Sequence, residues 1–136
     1  MTKVLGIDYG EKRVGVAISD SLQIIASSLT TIETKQFFLF LIELLQKEDI
    51  DRFVVGEPKN LDGTATDSTE MTENFVEKLS IKYPNIPITR IDERFTSKIA
   101  KQSILHAGTK KIKRRDKRLV DKVSAAIILQ SHLDSK

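Results

Sequence analysis

The chain contains no cysteine, and that one absence removes disulfides, thiolate zinc sites and cysteine nucleophiles together. Histidine is almost as scarce. Only His106 and His132 occur, far apart and each without a partner at i+3 or i+4, so a histidine metal centre is not expected. A metal, if one is used, must rest on carboxylate oxygens. No run of eighteen apolar residues is present, and Met1-Thr2-Lys3 leads into an apolar segment without the h-region and small-residue cleavage site of a signal peptide. A soluble, cytoplasmic protein without membrane association is therefore expected. There is also no internal repeat, low-complexity segment or dividing linker, so the 136 residues are read as a single domain spanning 1–136 with one ordinary core.

What the chain does contain is an uneven charge. The net charge is +3, yet the nine residues from Lys110 to Arg118 carry seven cations and one acid, Asp116, for +6, which leaves the rest of the chain at −3. Such a run is either a solvated loop or a surface for phosphates.

The hydrophobic pattern predicts an α/β layout. Val4-Leu5-Gly6-Ile7 is a continuous apolar run ending at Asp8, as in a strand covered on both faces. After the turn Tyr9-Gly10-Glu11-Lys12, alternation of Val14, Val16 and Ile18 with smaller residues predicts a hairpin partner, and a weaker third strand is read around Ser27 to Ile32. Phe37, Phe38, Leu41, Leu44 and Leu45 recur at helical spacing within Lys35 to Lys47. A buried strand follows over Arg52 to Gly56. Asp67 with Glu70 resembles a capping box for a helix carrying Met71, Phe75, Val76 and Leu79, which should stop before Pro84. Ile86 to Ile91 reads as the fifth strand, with Pro87 near its start, where a missing N–H is best tolerated. Two helices close the chain. The first is capped by Thr96 or Ser97 and ends at Gly108; the second runs from about Asp116 to Leu133.

Three acids stand where stability alone would not put them: Asp8 and Glu93 at the ends of apolar strands, and Asp121 within a mostly apolar helix. Singly, each has an ordinary explanation as a turn residue, a partner of Arg94, or a group on the wet side of a helix. Gathered on one sheet edge, they make an oxygen-rich site of the kind Mg2+ or Mn2+ prefers, able to support two-metal phosphodiester hydrolysis. Ser124 and Ala125, one turn beyond Asp121, are small enough for that helix to approach the sheet and bring Asp121 toward Asp8.

Six segments in register strengthen this reading: Gly6-Ile7-Asp8-Tyr9-Gly10, Lys12-Arg13-Val14-Gly15-Val16-Ala17 with Ser19-Asp20, Gly56-Glu57-Pro58, Asp62-Gly63, Asp92-Glu93-Arg94-Phe95-Thr96-Ser97, and Asp121 through Ala126 to Ile128-Leu129-Gln130. In order and spacing they resemble the YqgF/RuvX family of pre-16S rRNA nucleases related to Holliday junction resolvases. The resemblance implies an RNase H-like fold, with a five-stranded mixed sheet flanked by helices, and Asp8, Glu93 and Asp121 as catalytic, metal-holding acids for Mg2+ or Mn2+. It further implies that Arg13, Arg94 and the basic loop, Lys110, Lys111, Lys113, Arg114 and Arg115, face nucleic acid. Pre-rRNA is the leading substrate and branched DNA the alternative, for a monomer or a homodimer. Glu57 departs from the pattern, since the family usually has Leu after this glycine. In the RNase H-like strand order it would lie near Asp8, as a competitor of Glu93 or as a solvent-facing turn residue.

Two readings of other classes remain at this level. The actin and sugar-kinase superfamily shares the sheet and opens with an Asp-x-Gly hairpin over nucleotide phosphates, but it closes on the nucleotide with a second domain that this length does not provide. A non-catalytic RNA-binding factor would keep the fold without turnover. Both are separated from a nuclease by assay: nucleotide binding for the first, metal-dependent cleavage for the second.

The basic run yields the first prediction. If it touches three or four phosphates, replacing Lys110, Lys111, Lys113 and Arg114 with Gln should weaken nucleic-acid binding and flatten the logarithmic salt dependence by about two to four units, at roughly 0.7 to 0.9 per contact. Stability should move by only about half a kcal/mol. Identical salt slopes for folded parent and variant would reduce the run to a solvated loop.

Overall fold

The apolar run at the N-terminus forms β1 (Lys3–Tyr9), the central strand of the fold. In the computed structural model, which describes residues 2–58, 69–93 and 117–135 and only the backbone of 117–122, β1 is flanked by β2 (Arg13–Ser19) and β4 (Ile50–Glu57). The outer strands are β3 (Ala26–Glu33) and β5 (Ile88–Asp92), and the order is β3-β2-β1-β4-β5. The first three strands form an antiparallel meander, while β1, β4 and β5 run parallel. The sheet is thus mixed and five-stranded, as expected.

Alternation along the strands assigns each face its own helices. Leu5, Ile7, Val14, Val16, Phe53 and Val55 pack with Phe37 and Leu41 of α1 (Phe37–Lys47) and with Phe75 and Leu79 of α2 (Thr69–Lys82). Val4, Ala17 and Val54 point the other way and pack with Ala125, Ile128, Leu129 and Leu133 of α3 (Lys117–Asp134). Burying an aliphatic or aromatic side chain of this kind contributes about 1.5–3 kcal/mol, so both cores are needed.

The β1–α3 packing is unusually close. A Cβ on Gly6 would lie 2.7 Å from Cβ of Leu129 and 3.0 Å from the carbonyl oxygen of Ala125, so β1 must carry a glycine here. Polar pins fix the helix along its length. Gln130 Oε1 accepts the N–H of Ala26 at 2.8 Å, and its Nε2 donates to the Ile24 carbonyl at 2.9 Å. The register shift between Lys3 and Val4 is matched by Ser19, whose buried Oγ accepts the Val4 N–H at 2.8 Å. In the β2–β3 turn, Asp20 Oδ1 accepts N–H groups from Ile24 and Ile25 at 2.8 and 2.9 Å. These bonds, that of Ile25 foremost, hold the Asp20 carboxyl below its ordinary value. Their support is therefore present at neutral pH and fades only as the acid range is entered.

Boundaries differ from the sequence reading where polar anchoring overrides periodicity. The first helix starts at Phe37 after a 3-10 turn over Thr34–Gln36, rather than at Lys35. Thr34 is tied to the β1–β2 turn, donating its N–H to Lys12 O at 3.0 Å and its hydroxyl to Gly10 O at 2.7 Å. The fifth strand starts at Ile88 and not Ile86, because the Ile86 N–H is held by Tyr83 O in the turn after α2, and Pro87 supplies only a carbonyl, to Phe53 N–H. The expected capping box at Asp67 and the helix from Thr96 to Gly108 lie outside the described residues.

Gly6→Ala should therefore lower stability by about 1–3 kcal/mol, the usual cost of overpacking. A chemical-denaturation midpoint equal to that of the parent would show that the helix moves away from β1 at little cost.

Candidate active site

β1 places Asp8 at its carboxyl end, on the α3 face, in step with Val4 and Gly6. The ladder surrounds it with glycine. Gly15 of β2 is its direct antiparallel partner. On the other side Ile7 pairs with Val55, so the next position on β4, level with Asp8, is Gly56. Neither neighbour carries a side chain, and Asp8 therefore stands in a depression of bare backbone.

Glu93 fills part of that depression from β5. Ile91 packs in the α3-side core, and two residues later Glu93 emerges on the same face. Its Cγ, Cδ and Oε2 lie 2.7, 2.5 and 2.8 Å from where a Cβ on Gly56 would be. The carboxyl end of Glu93 thus lies across β4, toward β1, about one strand spacing (roughly 4.8 Å) from the line of Asp8. Both acids are half-buried. They come from the carboxyl ends of parallel strands, where open α/β sheets usually bind ligands.

Asp121 belongs to α3 as expected. Its backbone position is one turn before Ala125 and two before Leu129, the residues against Gly6, while Asp8 is two residues beyond Gly6 on β1. The helix therefore carries position 121 toward the level of Asp8, although its side chain lies outside the described residues. Among the described residues no group of three acids or histidines converges. The two described acids nevertheless offer oxygen donors only, with glycine room around them. That donor set fits a hard divalent cation such as Mg2+ or Mn2+.

Glu57 and Asp92 are register partners. By strand alternation they belong to the opposite face, with Val55 and Ile88. Parity thus separates Glu57 from the Asp8–Glu93 side, although its strand does neighbour β1. Arg13 starts β2, half-buried, and lines an open cleft of about 370 Å3 with Glu11, Lys12, Glu33, Thr34 and Lys35. Arg94, Lys110, Lys111, Lys113, Arg114 and Arg115 lie outside the described residues.

Sequence reasoning missed the supports of this site. Arg90 spans the underside of β4: Nη2 donates to Gly56 O at 3.2 Å, Nε to Val55 O at 3.4 Å, and Nη1 to both Glu73 oxygens at 2.8 and 2.9 Å. It braces the backbone on which Glu93 rests. The available signal was a cation between Ile88 and Ile91 in the middle of a short strand. The spacer role of Gly15 and Gly56 was hidden because a missing side chain reveals its use only across a ladder.

Comparison with known proteins identifies the family and the fold. Residues 2–135 match the sequence profile of the RuvX family, described as Holliday junction resolvase. A protein of Christiangramia forsetii is 48% identical over 133 residues, covering 98% of each chain, and one of Porphyromonas gingivalis is 48% identical over 135 residues, covering 99% of this chain and 98% of its own. Both carry the provisional name pre-16S rRNA nuclease. Among solved structures, Thermus thermophilus RuvC in complex with Holliday junction substrate superposes with a TM-score of 0.57 at 16% identity, covering 98% of this chain and 96% of that one. The fowlpox virus resolvase with Holliday junction DNA gives 0.57 at 13% identity and 98% coverage of both. At these identities the likeness establishes the fold, which is RNase H-like.

Gly56→Ala separates site from scaffold. The nearest atoms to the added methyl belong to the flexible Glu93 side chain, so the unfolding free energy should stay within about 1 kcal/mol of the parent. Mn2+ affinity, read by calorimetry, should fall at least about tenfold as Glu93 is displaced. Unchanged affinity would show that Glu93 needs no seat on Gly56.

Proposed function

Because the chain belongs to the RuvX family, a nuclease family, we propose that Asp8, Glu93 and Asp121 are the acidic site of a divalent-metal-dependent nuclease that cleaves structured RNA in maturing the 5′ end of pre-16S rRNA. The observation that carries this reading is the Glu93 side chain laid across Gly56 beside Asp8. This seating is hard to explain by stability, because it crowds two acids at the open end of the sheet. Names of relatives point to the rRNA substrate. The phosphotransferase reading gives way to the family assignment.

In this reading Asp8, Glu93 and Asp121 would hold Mg2+ or Mn2+, and the cation would supply the charge that lowers the pKa of a water and stabilises the leaving oxygen of the phosphodiester. Hydrolysis adds the hydroxide of water to phosphorus as the P–O3′ bond breaks, and the remaining proton ends on the leaving 3′ oxygen. Gly15 leaves room for the phosphate on one flank of Asp8, Gly56 makes room for Glu93 on the other, and Arg90 keeps the β4 backbone from yielding under Glu93. Without bound cations the acids repel a phosphate chain, so attraction must come from elsewhere; Arg13, Arg94 and the run from Lys110 to Arg115 supply it. Among the described residues no helix is long and apolar enough to cross a membrane. A second reading, resolution of branched DNA, is favoured by the family description and by the junction-bound structures that share the fold.

Asp8→Asn, Glu93→Gln and Asp121→Asn should each reduce cleavage at least about a hundredfold while the protein remains folded. Glu57→Gln, on the other face, should retain most activity. Assays of pre-16S rRNA and a four-way DNA junction side by side, across Mg2+ and Mn2+ concentrations, test both substrates. Full activity of Asp8→Asn on either would remove the acidic site from this account, and a loss in Glu57→Gln equal to that in Glu93→Gln would overturn the assignment by face.

A further inference from the structure

A second concave site lies on the α1–α2 face, at the same end of the sheet as the acids. This cleft, of about 400 Å3, is lined by Tyr9, Lys35, Phe38, Asn74, Phe75 and Lys78, among others. We propose that it receives one unpaired nucleotide of the bound strand, its base against Tyr9 and Phe38 and its phosphate between Lys35 and Lys78. The proposal rests on the nuclease reading and adds to it a preference for substrates with a single-stranded segment beside the scissile bond.

Three features support this occupant. The first is the aromatic floor. Tyr9 stacks on Phe75 with centroids 4.5 Å apart and planes 25° from parallel, and Phe38 lies 5.9 Å from Phe75. Phe37 and Phe75 are buried, but Tyr9 and Phe38 remain half-exposed, so the ring cluster opens into the cleft instead of closing as core. A base laid there extends an existing stack. The second is charge. Lys35 and Lys78 are exposed at the rim, Lys82 Nζ stands 5.1 Å from the Phe38 ring centre, and no acid lines the cleft among the described residues. Lys35 does pair with Glu33 at 3.5 Å, but an exposed pair of this length contributes little and yields to a phosphate.

The third feature is connection. Tyr9 directly follows Asp8, and alternation sends their side chains to opposite faces at one strand end. A chain whose phosphate sits at the acids has only to cross the end of β1 to lay a neighbouring base in the cleft. That base must be unpaired, because within a duplex both of its faces are already stacked.

The test compares two fluorescent RNA hairpins, one blunt and one with a short uridine tail, binding the full chain in EDTA. The tail should tighten binding roughly tenfold, the scale of one base–aromatic stack. Phe38→Leu, which removes the ring but keeps an apolar side chain, and the double change Lys35→Gln with Lys78→Gln should each abolish that gain while leaving the blunt hairpin within about threefold of the parent. In the parent protein, 5-iodouridine in the tail should photocrosslink to Tyr9 or Phe38, as located by mass spectrometry; this arm does not depend on the folding of any variant. No gain from the tail, a gain retained in both variants, or crosslinks confined to other segments would each overturn the cleft. If the blunt hairpin is bound, and is cleaved once Mg2+ or Mn2+ is supplied, that failure belongs to the cleft alone. If neither RNA nor a four-way DNA junction is bound, the nuclease reading fails with it.

Discussion

The contact on which the rest of the structure depends is that of α3 with β1 at Gly6. With Leu129 and Ala125 resting on a residue that has no side chain, the helix comes as near to the sheet as backbone atoms allow. Everything on that face is then set by distance along two rods. A helix turn advances about 5.4 Å and two strand residues about 6.6 Å, so the position one turn before Ala125 keeps pace with the position two residues beyond Gly6. Those positions are Asp121 and Asp8. A bulkier residue at position 6 would separate the two rods without touching either position.

Glycine is used a second time for a different end. At Gly6 the missing side chain admits a helix, whereas at Gly56 it admits the side chain of Glu93, and Gly15 leaves the other flank of Asp8 bare. The central strands thus carry large side chains toward α1 and α2 and almost none toward the carboxyl end of the α3 face. This asymmetry explains why one face holds Phe37, Phe53 and Phe75 while the other has room for charge. Desolvating two carboxylates costs stability unless something compensates. The α1–α2 core is the larger of the two and the richer in aromatic contacts.

The sheet end is accordingly two-sided. Asp8 and Tyr9 are adjacent in sequence, yet one meets the acidic face and the other the aromatic cleft, with Thr34 clamping the turn that follows them through Gly10 and Lys12. Arg90 has a matching position on β5, bracing Gly56 from the side of α2 while Glu93 rests on it from the side of α3. Changes on the α1–α2 face can therefore reach the acids through one strand's thickness of backbone.

Periodicity determined the element types and their order. Strand runs at Val4, Val14 and Phe53 and helical stripes at Phe37 and Phe75 need only local chemistry, since each must bury one face or both. The motifs around Asp8, Glu93 and Asp121 likewise marked the acids as misplaced for stability. Sequence could not assign them to faces. A strand end is equally compatible with either side until its neighbours are known, so Glu57 and Glu93 were both candidates. Register gives them different faces: Gly56 pairs with Ile91, and Glu93 lies over β4 on the α3 side, while Glu57 pairs with Asp92 on the other. The start of α1 and the role of Arg90 were equally out of reach, because both depend on hydrogen bonds between segments far apart in the chain. Local pattern determines which elements form, whereas contacts across the ladder decide which of their charges meet.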